Sequence, residues 1–322
     1  ARSRPRSRSP RRAPTCALEG GALRVGDEIV PLLCGAAHYW RLERESWKLA
    51  LTSLRGLGLP IVETYVPWQV HEIAPGEHDF GERDPRKDIG AFLDLAHELG
   101  LYAFVRPGPH INSEMTYFGL PERIVFDKAC QARSPKQSPV FQGFPPRMFP
   151  VPSYISDQYH EEVGRWYDAV AEVLVPRLYP AGPIVLLQVD NECPYWFRDH
   201  AYDQDYHPDA IAGFRRFLEK RHGTLAETSR AHRKTYARWD EVEAPLRFDA
   251  ETPEELVLHL DWCAYRERAL EDAIARMKKR MEDAGLRGVP TVHNLPLGEQ
   301  ASPTSVPALE EIVDVVGIDY YH

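Results

Sequence analysis

Gly182-Pro183-Ile184-Val185-Leu186-Leu187-Gln188-Val189-Asp190-Asn191-Glu192 is the stretch whose reading decides the fold. Its nearly continuous apolar run predicts a strand over 183–190 with both faces buried, as in a parallel sheet covered by helices. The run then turns polar. Working outward, similar runs predict strands over 32–40, 61–68, 101–111, 289–293 and 312–320. Helical spacing predicts helices between them, over 45–58, 89–99, 208–222 and 253–284, and one running to 178 that Ser156 or Asp157 caps. Gly58 and Gly100 stop the first two. Strands alternating with helices imply parallel strands joined by helical crossovers. The 322 residues exceed the roughly 250 that one (β/α)8 TIM barrel needs. Six strands do not close such a barrel, because closure is what removes the exposed edges. The expectation is therefore an α/β chain whose residues 18–322 form a (β/α)8 barrel truncated after its sixth strand. An insertion over about 223–252 and a Pro/Ser-rich connection over 127–152 interrupt it, and the latter is too long for an ordinary βα loop.

Composition excludes several classes of function. No apolar run is long enough to span a bilayer, so no membrane association is expected. Net charge is -9 although Arg2, Arg4, Arg6, Arg8, Arg11 and Arg12 crowd the first dozen residues. The body is thus more acidic than the total, which speaks against nucleic acid as a partner. Residues 1–17 read as a disordered basic Arg/Ser/Pro tail with no apolar signal-peptide core. Five dispersed cysteines without a C-x-x-C pair indicate neither a disulfide framework nor a zinc site, and a reducing cytoplasm fits them. The 13 histidines include no H-E-x-x-H, so no metal and no cofactor are expected. Oligomeric state is not legible.

In parallel barrels chemistry sits at the C-terminal ends of strands. Here those ends read His38-Tyr39-Trp40, Tyr65-Val66-Pro67-Trp68, His110-Ile111-Asn112-Ser113-Glu114, Gln188-Val189-Asp190-Asn191-Glu192 and Asp319-Tyr320-Tyr321. Aromatic faces beside carboxylates and amides suit a sugar ring, which stacks its C–H faces and pairs its hydroxyls. Four ordered stretches carry a specific likeness: Cys34-Gly35-Ala36-Ala37-His38-Tyr39; Glu63-Thr64-Tyr65-Val66-Pro67-Trp68; Arg106-Pro107-Gly108-Pro109-His110-Ile111-Asn112-Ser113-Glu114; and Gly182-Pro183 leading to Asn191-Glu192. Together they resemble family 35 glycoside hydrolases, retaining exo-acting β-galactosidases with a (β/α)8 catalytic domain. After about residue 205 the chain looks more like family 42 β-galactosidases.

The resemblance implies that Glu192 is the general acid/base and that Asn191 bonds the sugar 2-hydroxyl. It also implies that Tyr65, Asn112, Ser113 and Glu114 line the pocket for a terminal β-galactoside. In the family the nucleophilic glutamate ends strand seven, so it is expected beyond His322, and the 322-residue piece is expected to hydrolyse nothing measurable. Glu299, in the loop after strand five, is a poor substitute. A proton donor near neutral pH needs its pKa raised by burial and by a partner carboxylate. Cys193 stands where the family usually has a tyrosine, and Asp190 where a Glu is common. Cys193 reads as a small loop residue, because a nucleophilic thiol needs a partner histidine.

Blander readings stand beside these. Tyr65, Trp68 and Trp196 pack loops as readily as they touch sugar. Asn112 and Glu114 suit local capping or an arginine partner, Glu63 and Arg106 a buried ion pair, and His38 a satisfied interior site. Two alternatives to a galactosidase stay open: an exo-β-glycosidase for another hexose, and a catalytically silent carbohydrate-binding protein.

Overall fold

The computed structural model describes residues 15–144, 147–193, 200–296 and 304–320. Arg2 to Arg12, Trp196, Glu299, Tyr321 and His322, all weighed above, lie outside them. The described chain opens on an antiparallel meander of β1 (Cys16–Glu19), β2 (Ala22–Val25) and β3 (Glu28–Val30). Its first turn is tight because Gly20 and Gly21 both take positive φ, as a type I′ hairpin turn requires. The meander was not foreseen, and its first strand begins two residues inside the expected tail. Leu23, Val25 and Val30 bury into the main core, and the Cys16 thiol donates to the Val185 carbonyl at 3.3 Å.

The remaining elements are β4 (Cys34–Ala36), α1 (Trp47–Gly56), β5 (Ile61–Tyr65), α2 (Trp68–His71), β6 (Glu72–Ala74), β7 (Glu77–His78), α3 (Ile89–Glu98), β8 (Tyr102–Arg106), α4 (Glu122–Phe126), β9 (Phe141–Phe144), β10 (Arg147–Pro150), α5 (Asp157–Leu174), β11 (Ile184–Gln188), α6 (Pro208–His222), α7 (Leu225–Ala231), α8 (Leu256–Asp283), β12 (Thr291–Leu295), α9 (Val306–Glu310) and β13 (Val315–Ile318). Strands β4, β5, β8, β11, β12 and β13 form one parallel sheet in that order. Each lies beside its predecessor with helices between, which is the winding of a (β/α)8 barrel; a doubly wound sheet would reverse direction. These are the six strands expected. All five residues of β11 are buried, as its apolar run predicts.

Most sheet strands are shorter than predicted, and the physical reason is the same for two of them. Past Tyr65 and Arg106 the chain meets Pro67 and Pro107, which have no N–H to extend a ladder. The span 32–40 pairs only at Cys34–Ala36, and Tyr39–Arg41 coils into a 3-10 turn. The long connection is not structureless: β9 and β10 pair within it as a hairpin. Ser156 caps α5 as expected, accepting from the Tyr159 N–H at 3.1 Å. The expected insertion holds α7 and a turn at Trp239–Glu241, and it packs with α6 and α8 around a second apolar cluster that includes Phe214, Val242 and Trp262. Among the described residues no helix is long and apolar enough to cross a membrane.

Candidate active site

Tyr65 and Arg106 are the last residues of β5 and β8, Asn191 and Glu192 follow β11, and Asp319 follows β13. Parallel winding brings all five to one rim, around a cleft of about 370 Å³. All six residues singled out from the sequence, Tyr65, Asn112, Ser113, Glu114, Asn191 and Glu192, line it, joined by His38, Arg41, Glu63 and Asp319.

Glu63 and Tyr65 share a face of β5, since alternate residues point the same way along a strand. This sets Glu63 against Arg106 at 2.5 Å, the ion pair expected from the sequence. Arg106 then does more than that reading foresaw. Its guanidinium lies 4.1 Å from the Tyr65 ring centroid and donates a second time, to Asn191 Oδ1. Asn294, on β12, donates to the same oxygen at 3.1 Å. With its oxygen held by donors, the Asn191 amide turns Nδ2 toward Glu192 Oε2 at 3.3 Å. Asn112 Nδ2 donates to that same carboxyl oxygen at 3.3 Å.

Glu192 is 3% exposed, and its pKa is pushed up from an ordinary 4.5 to about 8. Burial is the main cause, and a hydrogen bond and negative charge from Asp319 come next; Asn112 and Arg106 pull the other way. A raised pKa was expected of this residue. The partner responsible was not, because Asp319 was noted only as the polar end of strand six. Asn294 ties the Asp319 carboxyl to the Glu192 backbone: its Nδ2 donates to Asp319 at 2.6 Å and its Oδ1 accepts from the Glu192 main-chain N–H at 3.3 Å. Asn294 sits at the end of a strand like the others, which is the signal by which it was findable.

Asp190 turns away from the cleft. Wholly buried, it accepts from Tyr154 Oη at 2.7 Å and the His110 N–H at 3.2 Å, and burial pushes its pKa up to about 7. Burial also holds His110 neutral, with its pKa down to about 4, so Nδ1–H donates to the Asn191 carbonyl at 2.6 Å. These contacts support a backbone in which Asp190, Glu192 and Cys193 take φ of 55, 56 and 58. Asn112, Ser113 and Glu114 are left-handed too, at 53, 49 and 51. Non-glycine residues held there cost of order 1 kcal/mol or more each, and such strain clusters at functional sites.

His38 departs from the bland expectation. It lines the cleft, its Nδ1 is buried without a partner, and burial lowers its pKa to about 4. Asn112 Oδ1 is likewise buried without a partner. Each is costly unless a hydroxyl meets it. Trp68 is a packing residue: it is 1% exposed and stacks on Trp166 with centroids 5.8 Å apart. A second hollow, of about 450 Å³, opens on the outer face between α5, α6 and α8, away from the strand ends.

Residues 22–142 match the sequence model of Glycosyl hydrolases family 35, so the resemblance carried by the motifs holds over that stretch. An exo-beta-D-glucosaminidase of Thermococcus kodakarensis is 29% identical over 263 residues, 80% of this chain and 32% of that protein. A beta-1,2-glucosyltransferase of Ignavibacterium album is 27% identical over 86% of this chain and 38% of its own length. Human beta-galactosidase is 34% identical over 190 residues, 59% of this chain and 23% of that protein. The chain thus spans about a third of the length of the first two relatives. The crystal structure of a beta-galactosidase from the psychrophilic Marinomonas ef1 superposes with a TM-score of 0.70 at 20% identity, over 90% of this chain and 40% of that one. That likeness establishes the barrel fold.

Proposed function

We propose, from the family 35 resemblance over residues 22–142, that the protein is a retaining exo-β-glycosidase releasing terminal β-D-galactosyl residues, with Glu192 as acid/base. One observation carries this reading: a carboxyl at the end of β11, buried between two amide donors, with its pKa raised to about 8. Such a group is protonated at neutral pH. It hands its proton to the departing glycosidic oxygen, and as carboxylate it then takes one from the water that cleaves the glycosyl-enzyme. Asn191, oriented by Arg106 and Asn294, offers its N–H to the 2-hydroxyl. Tyr65 supplies a stacking face, Asn112 and Ser113 polar contacts, and Glu114 a carboxylate for hydroxyls. No cofactor enters the chemistry.

Retention needs a second carboxylate about 5 to 5.5 Å from the first, across the bond. Asp319 bonds Glu192 directly and Glu63 is tied to Arg106, so neither takes that role. The nucleophile is left unassigned among the described residues.

A second reading has specific support. The exo-glucosaminidase relative matches 80% of this chain, and the carboxylates of Glu114 and Asp319 in the cleft suit a sugar bearing an ammonium at C2. Aryl β-galactosides and aryl β-glucosaminides given to the full-length protein distinguish the two. Faster turnover of the galactoside is expected; preference for the glucosaminide replaces that sugar assignment, and turnover of neither, with binding retained, supports the silent carbohydrate-binding protein.

A further inference from the structure

The insertion brings together a set of side chains that the cleft does not use. His222 ends α6, His232 caps the C-terminus of α7, and Asp261 lies in the second turn of α8. His222 Nε2 is 2.7 Å and His232 Nε2 2.9 Å from a single oxygen, Asp261 Oδ2. Among the described residues these three form a group whose potential ligand atoms all lie within 4.8 Å of one another. Asp261 is 1% and His232 3% exposed, while the His222 side chain, at 17%, keeps a path to solvent.

We infer that His222 Nε2, His232 Nε2 and Asp261 Oδ2 form a binding site for one divalent transition-metal ion of the zinc type. Two imidazoles and one carboxylate are an ordinary protein set for Zn²⁺, with the fourth tetrahedral position left to water. Metal–ligand distances of about 2.0 to 2.2 Å place tetrahedral neighbours about 3.3 Å apart. The two His–Asp separations therefore need to open by about half an ångström, and the two imidazole nitrogens, within 4.8 Å of each other, need to draw together. His222, at a helix end beside Gly223, has the freedom to make that step. Gly223 itself is at φ 87, the left-handed stop that ends α6 there.

The surroundings suit a cation. The C-termini of α6 and α7 both reach the site, and the negative end of a helix dipole favours positive charge. His232 Nδ1 faces the Tyr236 hydroxyl at 3.3 Å, an outer partner that fixes the ring while Nε2 binds metal. Arg221 contacts the other carboxylate oxygen, Asp261 Oδ1, at 2.9 Å, so Oδ2 stays directed at the imidazoles. A ligating imidazole carries no proton on Nε2, and with its proton on Nδ1 His232 donates to Tyr236.

The test is to strip the full-length protein with EDTA and titrate it with ZnCl2 against a chromophoric chelator, following the melting temperature in parallel. One zinc per chain and a higher melting temperature are expected. His222→Gln and His232→Gln each keep a donor for Asp261 and are expected to lose that zinc. Tyr236→Phe is expected to weaken it by about tenfold. If His232→Gln fails to fold, as circular dichroism would reveal, the more exposed His222→Gln decides the matter. The absence of a saturable site, or zinc bound equally by His222→Gln and the wild type, leaves a hydrogen-bonded cluster only and overturns the assignment.

Discussion

Glu192 at the barrel rim and Asp261 in the helical insertion are both buried carboxyls, 3% and 1% exposed, yet their pKa values move in opposite directions. Glu192 rises to about 8 because burial and Asp319 both disfavour its charge, and the Asn112 amide and the Arg106 guanidinium are a weaker counterweight. Asp261 falls below its ordinary 3.8 because His232, His222 and Arg221 outweigh an equally real burial cost. Depth in the protein therefore does not set the sign; the charge and donor character of the partners do. The consequences for stability are opposite as well. Glu192 favours the fold as a neutral acid, a contribution fully present below about 4.5 and lost as pH rises through about 8. Asp261 favours it as an anion, a contribution present above 3.8 and lost as pH falls through its lower folded value.

The contrast breaks most visibly at the proposed acid. In the full-length protein Glu192→Gln is expected to lower turnover of glycosides with poor leaving groups by about 10² to 10⁴-fold. Loss for good leaving groups is expected to be far smaller, as kcat/KM across a series of aryl glycosides would reveal. Equal losses across that series would remove Glu192 from the acid role. Asp261→Ala comes next, stranding the buried His232 imidazole and taking a partner from His222 and Arg221, which both reach solvent. It is expected to cost about 3 kcal/mol in urea unfolding. A cost below about 0.5 kcal/mol, the range of an ordinary surface change, contradicts the picture of a carboxylate held by its donors.

Two further substitutions sharpen the account of Glu192. Asp319→Asn removes the negative neighbour, so the alkaline limb of the pH–rate profile, expected near pH 8, should move acidward by about one pH unit. Asn112→Ala removes a donor that favours the carboxylate, and a smaller move in the alkaline direction is expected. Shifts of the same sign in both variants would contradict the opposed roles of the two neighbours.

Much of the rim was legible in advance. The apolar run before Gln188 marks a strand buried on two faces, and the polar residues that end each such run mark the face where chemistry belongs. Those ends include Glu192 and its five expected neighbours, which the resemblance to family 35 then singled out, and all line one cleft. The strand ends were overextended because apolar character continues past Tyr65 and Arg106, where proline removes the ladder donor. The β1–β3 meander escaped notice because its glycine turns sit in a short segment beside the basic tail. His38 was read as satisfied because nothing in its neighbours along the chain reveals an imidazole nitrogen left without a partner.

What the sequence determined by itself is local: periodicity, turn chemistry, and the residue types delivered at each strand end, all of which depend on neighbours a few positions away. Tertiary structure alone decided which distant groups share a charge environment. Asn294 meets the Glu192 backbone from 102 positions away, and Asp261 meets His222 and His232 from 39 and 29. Electrostatic coupling acts through space and grows where water is excluded, so a sequence can name an acid while only the fold sets the pH at which it holds its proton.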